Sequence, residues 1–336
     1  MTIYGRMRRG TAACLAAAML LALLTGCTGE DSEPDTLRVG VLKFGSVNWE
    51  LDVVDRRGLD EAHGIDIEVV PLASENALAV ALQGDRVDLI VSDWLWVARQ
   101  RAKDKDYQFA PYSLAVGAIM VNPAAEVDSL ADLDGRKLGI AGGPIDKTWL
   151  LARAYAHQTE GVDLESAVEP TFAAPPMINK LVMDGTLPAA INFWHYNARL
   201  SALGMEPLLS VEDMLDGLGI ETVPPLLGWV FSSDWADDNR EALQSFMEAT
   251  YEAKEILAES DEAWQPLEPL VKPESEAVFA AIREGYRAGI IEHYGAAEIA
   301  AAGQVFNILA QESDGEITGG VSELSPDVFW DGFRLQ

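Results

Sequence analysis

The sequence predicts an α/β protein of two similar lobes, each a parallel sheet of βαβ units, joined by two crossing strands and completed by C-terminal helices. Three observations carry this. Short β-branched runs alternate with helical stretches that stop at glycine, which is the rhythm of βαβ units. Several runs are continuously apolar, such as Leu89-Ile90-Val91, as strands buried on both faces must be. Finally, residues 82–94 are echoed by 182–194: each segment gives a helix end, a glycine, a strand, a polar residue and a tryptophan.

In chain order, 37–42 reads as the first strand, and 49–63 as a helix closed by Gly64 at a C-cap position. Residues 65–70 form the second strand, 74–83 a small-residue helix stopped by Gly84, and 87–91 the third strand, which empties into Ser92-Asp93-Trp94. The apolar, non-helical stretch 115–121 reads as a long strand leaving the first lobe. A short helix and turn at 129–135 precede the strand 137–141, where a new βαβ series opens. Gly142-Gly143-Pro144 leads into a helix over 146–158, and a further helix over 176–183 stops at Gly185. The strand 189–193 runs into Trp194-His195-Tyr196, and 227–231 reads as the second crossing strand. Residues 239–257 place Ala242, Phe246, Ala249 and Ala253 at helical spacing and begin a helical C-terminal third. The expected division is lobe 1 at 37–117 plus 232–336 and lobe 2 at 118–231, with crossing strands at its ends.

The N-terminus reads as an export signal. Arg6, Arg8 and Arg9 precede an apolar run over 12–24, shorter than the ~20 residues a membrane span needs. It ends in Leu24-Thr25-Gly26-Cys27, which resembles a lipobox. Residues 1–26 are thus expected to be a lipoprotein signal peptide, Cys27 the lipidated residue, and 27–36 an acidic tether. The expected location is the periplasmic or extracellular face, with the chain anchored to a membrane. Cys14 and Cys27 are the only cysteines, so a chain cut before Cys27 has no disulfide, cysteine-based zinc site or cysteine nucleophile.

The charge excludes another class. The chain has 24 basic and 54 acidic residues; removing the three arginines of the signal leaves 21 against 54, a net −33. Such a surface repels phosphate backbones, so no nucleic-acid partner is expected. His63, His157, His195 and His293 are too scattered for a metal site, and no cofactor is expected.

At this point the order of several short motifs resembles a known family. The strand at 37–42 is followed by Gly58 and by Gly64-Ile65-Asp66-Ile67-Glu68, then by Ala81-Leu82-Gln83-Gly84-Asp85-Arg86-Val87-Asp88. Further on comes Ser129-Leu130-Ala131-Asp132-Leu133-Asp134-Gly135-Arg136-Lys137-Leu138-Gly139-Ile140. Over about residues 37–260 the chain is similar to ABC-transporter solute-binding proteins of the periplasmic-binding-protein-like II fold, in the sulfonate/taurine/nitrate and thiamine-precursor branch. One departure is Pro188, where the family usually has Asp. The resemblance implies two Rossmann-like lobes, a small-molecule ligand, an ABC permease as membrane partner, a monomer and no catalysis. Alternatives on the same fold are a ligand sensor, a cofactor- or metal-supply protein, or a pyrimidine synthase, whose histidine and Cys-rich motif are missing here.

Ligands of open α/β sheets sit outside the carboxyl ends of the parallel strands. That rule nominates four loops: Phe44 and Ser46 with Trp49; Ser92, Asp93 and Trp94; Gly142 and Gly143; and Asn192 with Trp194 and Tyr196. Glycines before a helix leave amides free for an anion, although Asp146 could cap that helix itself. Trp94 and Trp194 could stack on a solute, whereas Trp96 and Trp149 read as packing. A carboxylate at Asp93 beside an aromatic wall suits an ammonium, an amidine or an aminopyrimidine edge. Only Lys43 and Lys147 could serve a sulfonate or nitrate, so a neutral or cationic organic ligand is favoured.

Overall fold

The computed structural model describes residues 35–43 and 45–335. The expected signal peptide, Cys27, most of the tether and Phe44 lie outside the described residues. In chain order the strands are β1 (Asp35–Leu42), β2 (Ile65–Leu72), β3 (Leu89–Asp93), β4 (Tyr107–Ser113), β5 (Ala118–Val121), β6 (Lys137–Ile140), β7 (Glu169–Phe172), β8 (Ala189–Asn192), β9 (Glu206–Ser210) and β10 (Leu227–Ser232). They form two five-stranded sheets, ordered β2-β1-β3-β10-β4 and β7-β6-β8-β5-β9. Each sheet is mixed. Strands β1 and β3 run parallel, with β10 antiparallel to β3. In the second sheet β6 is parallel to β7 and β8, and β5 is antiparallel to β8. The expected α/β architecture with C-terminal helices is therefore present.

The principal helices are α1 (Val47–Arg57), α2 (Glu75–Gln83), α3 (Trp94–Arg101), α4 (Lys147–Tyr155), α5 (Pro175–Met183), α6 (Trp194–Ala202), α7 (Val211–Gly217), α8 (Arg240–Glu259), α9 (Glu276–Ala288) and α10 (Ala296–Glu312). The single helix expected over 49–63 is broken at Gly58. That residue adopts φ 64°, and its N–H turns back to the Val54 and Asp55 carbonyls, ending α1 before a one-turn helix at Leu59–Ala62. Helix α8 buries Leu243, Phe246, Met247, Ala249 and Ala253 at the spacing the sequence shows. Leu243, Phe246 and Met247 pack with Leu37, Val39, Val41 and Trp229 of the first sheet, while Ala249 and Ala253 pack with Trp49, Val53 and Val54 of α1.

The crossings differ from expectation. Residues 227–231 form the interior of the first sheet, hydrogen-bonded between β3 and β4, and are not the edge of the second lobe. Chain passage between sheets occurs at 114–117 and at 218–226, outside any strand. Gly117 is required there, because a Cβ would lie 2.6 Å from the Asn192 carbonyl oxygen. The C-terminal helices also join the lobes: α6 packs on α9, and α4 packs on α10. One apolar cluster accordingly runs through both lobes, with Trp94, Leu95, Trp149, Leu150 and Phe306 among its members.

Candidate functional site

Two contacts bring the strand-end loops of one sheet against those of the other. In the first, Asp93, the last residue of β3, meets Lys147, the first residue of α4, at 2.9 Å. In the second, Trp49 near the start of α1 meets Trp194, the first residue of α6, edge to face with centroids 6.0 Å apart. The carboxyl ends of β1 and β3 thus face those of β8 and β6.

Asp93 is the N-cap of α3. Its Oδ1 accepts the Trp96 N–H at 2.7 Å, which fixes the carboxylate and leaves Oδ2 aimed at Lys147. Burial pushes this carboxyl up, but the Lys147 ammonium, the charge of Arg99 and the hydrogen bonds together hold it below the usual carboxylate range. Burial pulls Lys147 down, and Asp93, Asp146 and Glu75 outweigh it, so the ammonium is held above its usual value.

Gly142 and Gly143 both adopt left-handed φ, 91° and 90°, and fold the turn back over Asp146. Asp146 caps α4 through the Trp149 N–H at 3.0 Å, and a Cβ on Gly142 would come within 2.8 Å of its Oδ2. The N-terminus of α4 is therefore capped by the chain's own carboxylate, as is that of α3.

The other nominated residues fall into two groups. Trp94 does not line a solute wall. It is fully buried, its indole N–H donates to the Pro225 carbonyl at 3.0 Å, and its ring lies 6.3 Å from Phe306. Trp49 is likewise buried, between Trp194, Trp264 and Tyr286. Asn192 is buried too. Its amide donates to the Pro175 carbonyl and to Asn179 Oδ1, and its own Oδ1 accepts the Phe193 N–H. Trp94 and Asn192 are satisfied by internal hydrogen bonds, and Trp49 is packed among aromatic rings.

Ser46, Ser92, Asp93, Gly143, Trp194 and Tyr196 stay partly accessible, while Gly142 is exposed. Beside Trp194, the Nδ1 of His195 is buried without a partner among the described residues, and burial pulls the imidazole down to about 4. Trp96 and Trp149 pack as expected, Trp96 on Tyr107 at 5.2 Å and Trp149 inside the core.

The sequence reading missed two features. Ile145, Phe172, Met177 and Phe193 form an exposed apolar rim on the carboxyl-end side of the second sheet. Phe193 directly follows a legible strand, so its position was readable, though its exposure was not. Behind the α1 loop, Glu50 and Lys254 form a buried ion pair, and Glu50 also accepts the Tyr286 hydroxyl at 2.9 Å. Among the described residues no cluster of His, Cys, Asp and Glu is arranged to hold a metal ion.

With this geometry in place, comparison with known proteins decides the family. The NMT1/THI5-like family pattern matches residues 53–263, more than half of the chain. The chain belongs to the NMT1/THI5-like family. No curated protein matches it. Among solved structures, this NMT1/THI5-like chain is similar to the periplasmic aliphatic sulphonate-binding protein SsuA of Escherichia coli, with a TM-score of 0.66 and 18% identity over 84% of this chain and 94% of that one. The alkanesulfonate-binding SsuA of Xanthomonas axonopodis pv. citri, bound to MOPS, matches with a TM-score of 0.64 and 20% identity over 89% and 99% of the two chains. The periplasmic nitrate-binding protein NrtA of Synechocystis PCC 6803 matches more loosely, with a TM-score of 0.55 and 14% identity over 78% and 71%. The fold is the periplasmic-binding-protein-like II fold.

Proposed function

We propose that this chain is a solute-binding protein of the extracytoplasmic side, which captures a small organic molecule between its lobes and delivers it to an ABC importer without transforming it. The observation that carries the reading is the facing of the two sets of strand ends, joined across the lobes by Asp93 and Lys147. The family membership and the sulfonate- and nitrate-binding proteins of the same fold support it. On this reading Cys27 carries the lipid that keeps a monomeric chain beside its permease. The solute-facing residues are then Ser46, Asp93, Gly142, Gly143, Lys147, Trp194, His195 and Tyr196.

The test is a thermal-shift screen of the purified chain against sulfonates, nitrate, aminopyrimidines, amines and metal chelates, together with mass spectrometry of small molecules that co-purify. A true solute raises the melting temperature by mass action, as RT ln(1 + [L]/Kd), and is recovered chemically unchanged. A screen with no stabilising compound and no co-purified molecule defeats the proposal. Recovery of a converted product defeats the binding-only part of it.

A further inference from the structure

The ammonium of Lys147 lies between the two lobes, where a solute gripped by both would place its polar head. It is bonded to a carboxylate that is itself anchored: Asp93 Oδ1 is committed to the Trp96 N–H, while Oδ2 receives the Lys147 Nζ. The two partners differ in freedom. Asp93 ends a strand and caps a helix, whereas the lysine ammonium sits at the tip of four rotatable methylenes and retains 30% side-chain exposure. When a solute breaks this pair, the lysine is the member that can swing away.

The surroundings point the same way. Asp146 and Glu75 add negative potential at the ammonium. The N-termini of α3 and α4, ready-made anion sites in other chains, are filled here by Asp93 and Asp146. An anionic head would therefore meet three carboxylates and no unclaimed helix terminus at this end of the cleft. Next to the pair lies the apolar rim. Ile145 is two residues before Lys147, Phe172 ends β7 and Phe193 directly follows β8, the two strands that flank β6. Both of the exposed phenylalanines among the described residues belong to this rim, at 45% and 38%.

Resting on the solute-binding reading above, we propose that the solute is an organic amine, cationic at neutral pH and with an apolar body, whose nitrogen replaces the Lys147 ammonium on Asp93 Oδ2. In the unliganded chain Lys147 acts as the internal occupant of that position.

Chemical rescue tests this directly. The Lys147→Ala chain lacks the internal ammonium, and n-butylamine, protonated at pH 7, is one methylene longer than the three-carbon amine the substitution removes. Butylammonium is expected to raise the melting temperature of Lys147→Ala saturably, and that of the wild type less at equal concentration, because the native ammonium competes. Butane-1-sulfonate at matched ionic strength should raise neither. Adding Asp93→Asn to Lys147→Ala should weaken butylammonium binding by about tenfold or more, the loss expected when a charge-assisted hydrogen bond is removed. If Lys147→Ala does not fold, Lys147→Met keeps the apolar stem and takes its place.

The proposal is overturned if butylammonium does not stabilise the lysine variant. It is equally overturned if the sulfonate does so better, or if the Asp93→Asn background leaves amine binding unchanged. These outcomes are separable from failure of the binding reading. A co-purified or screened anionic solute that stabilises the wild type sinks the amine assignment alone, whereas absence of any solute sinks both.

Discussion

Removing the buried ammonium of Lys254 is expected to produce a pH-dependent loss of stability whose size follows from its partner. Glu50 and Lys254 are essentially inaccessible, at 0% and 2% exposure, and bonded to each other. The ammonium also lies 4.1 Å above the Tyr112 ring, while Glu50 Oε1 has no partner among the described residues. Burial disfavours both charges, pushing Glu50 up and Lys254 down. In Lys254→Met the carboxylate loses its counter-charge and has only the Tyr286 hydroxyl, so it folds protonated. Taking up a proton at pH 7 against an ordinary value of 4.5 costs about 1.4 kcal/mol per pH unit, hence about 3 kcal/mol in all. This agrees with the ~3–5 kcal/mol typical of breaking a buried pair by removing one partner. The sign is set by the raised folded value: the variant gains relative stability as pH falls, and at pH 5 the penalty shrinks to under about 1 kcal/mol. Urea unfolding of wild type, Lys254→Met and Glu50→Gln/Lys254→Met between pH 5 and 7 reads this out. The double variant should recover most of the loss and show no pH slope of its own. A Lys254→Met penalty below about 1 kcal/mol at pH 7, or one equally large at pH 5, refutes the reasoning.

Trp94→Ala should destabilise the chain by about 3–5 kcal/mol in the same unfolding assay, because it empties a fully buried site that spans the lobes and orphans the Pro225 carbonyl. A surface-sized effect below about 1 kcal/mol would return Trp94 to the candidate solute wall. His195 is held neutral by burial, down to about 4 from 6.5, so stability should decline as pH falls through that interval, by at most about 3 kcal/mol. His195→Phe should flatten the decline, and an unchanged profile in that variant disproves the assignment.

Most of the βαβ framework was legible, because interior parallel strands are continuously apolar and glycine marks where helices stop. The three strands the sequence did not reveal share one cause. Strands β4, β7 and β9 are all sheet edges, and each contains a proline, Pro111, Pro170 and Pro207, which interrupts the pattern and is tolerated only where no ladder hydrogen bond is needed. The strand-end rule nominated loops that the structure brings into contact, Asp93 against Lys147 and Trp49 against Trp194. It failed for Trp94 because residue type and position after a strand do not determine which way an indole turns. The first residue of α3 faces inward, and a carbonyl from the 218–226 crossing was waiting for its N–H. The Lys254–Glu50 pair was beyond reach for a different reason: the partners lie 204 residues apart, on helices that read as ordinary amphipathic surfaces.

The placement of the C-terminal helices also constrains how solute enters. A hinge built only from the passages at 114–117 and 218–226 would let the lobes swing freely, yet they are held together elsewhere. On one side Trp194 rests on Gly285, with 3.2 Å between its ring and the position of a Cβ there, and Arg199 donates to the Val271 carbonyl and pairs with Glu274. On the other, α4 lies along α10. Opening at the strand ends must slide these helices over one another, and packed interfaces of this kind move by small shear steps rather than wide rotation. The side-chain-free surface at Gly285 suits such sliding. If an amine replaces the Lys147 ammonium as proposed, withdrawal of that flexible arm would clear the Asp93 carboxylate without separating the lobes. A solute small enough to follow that arm would then complete the same contact between lobes that the lysine makes in its absence.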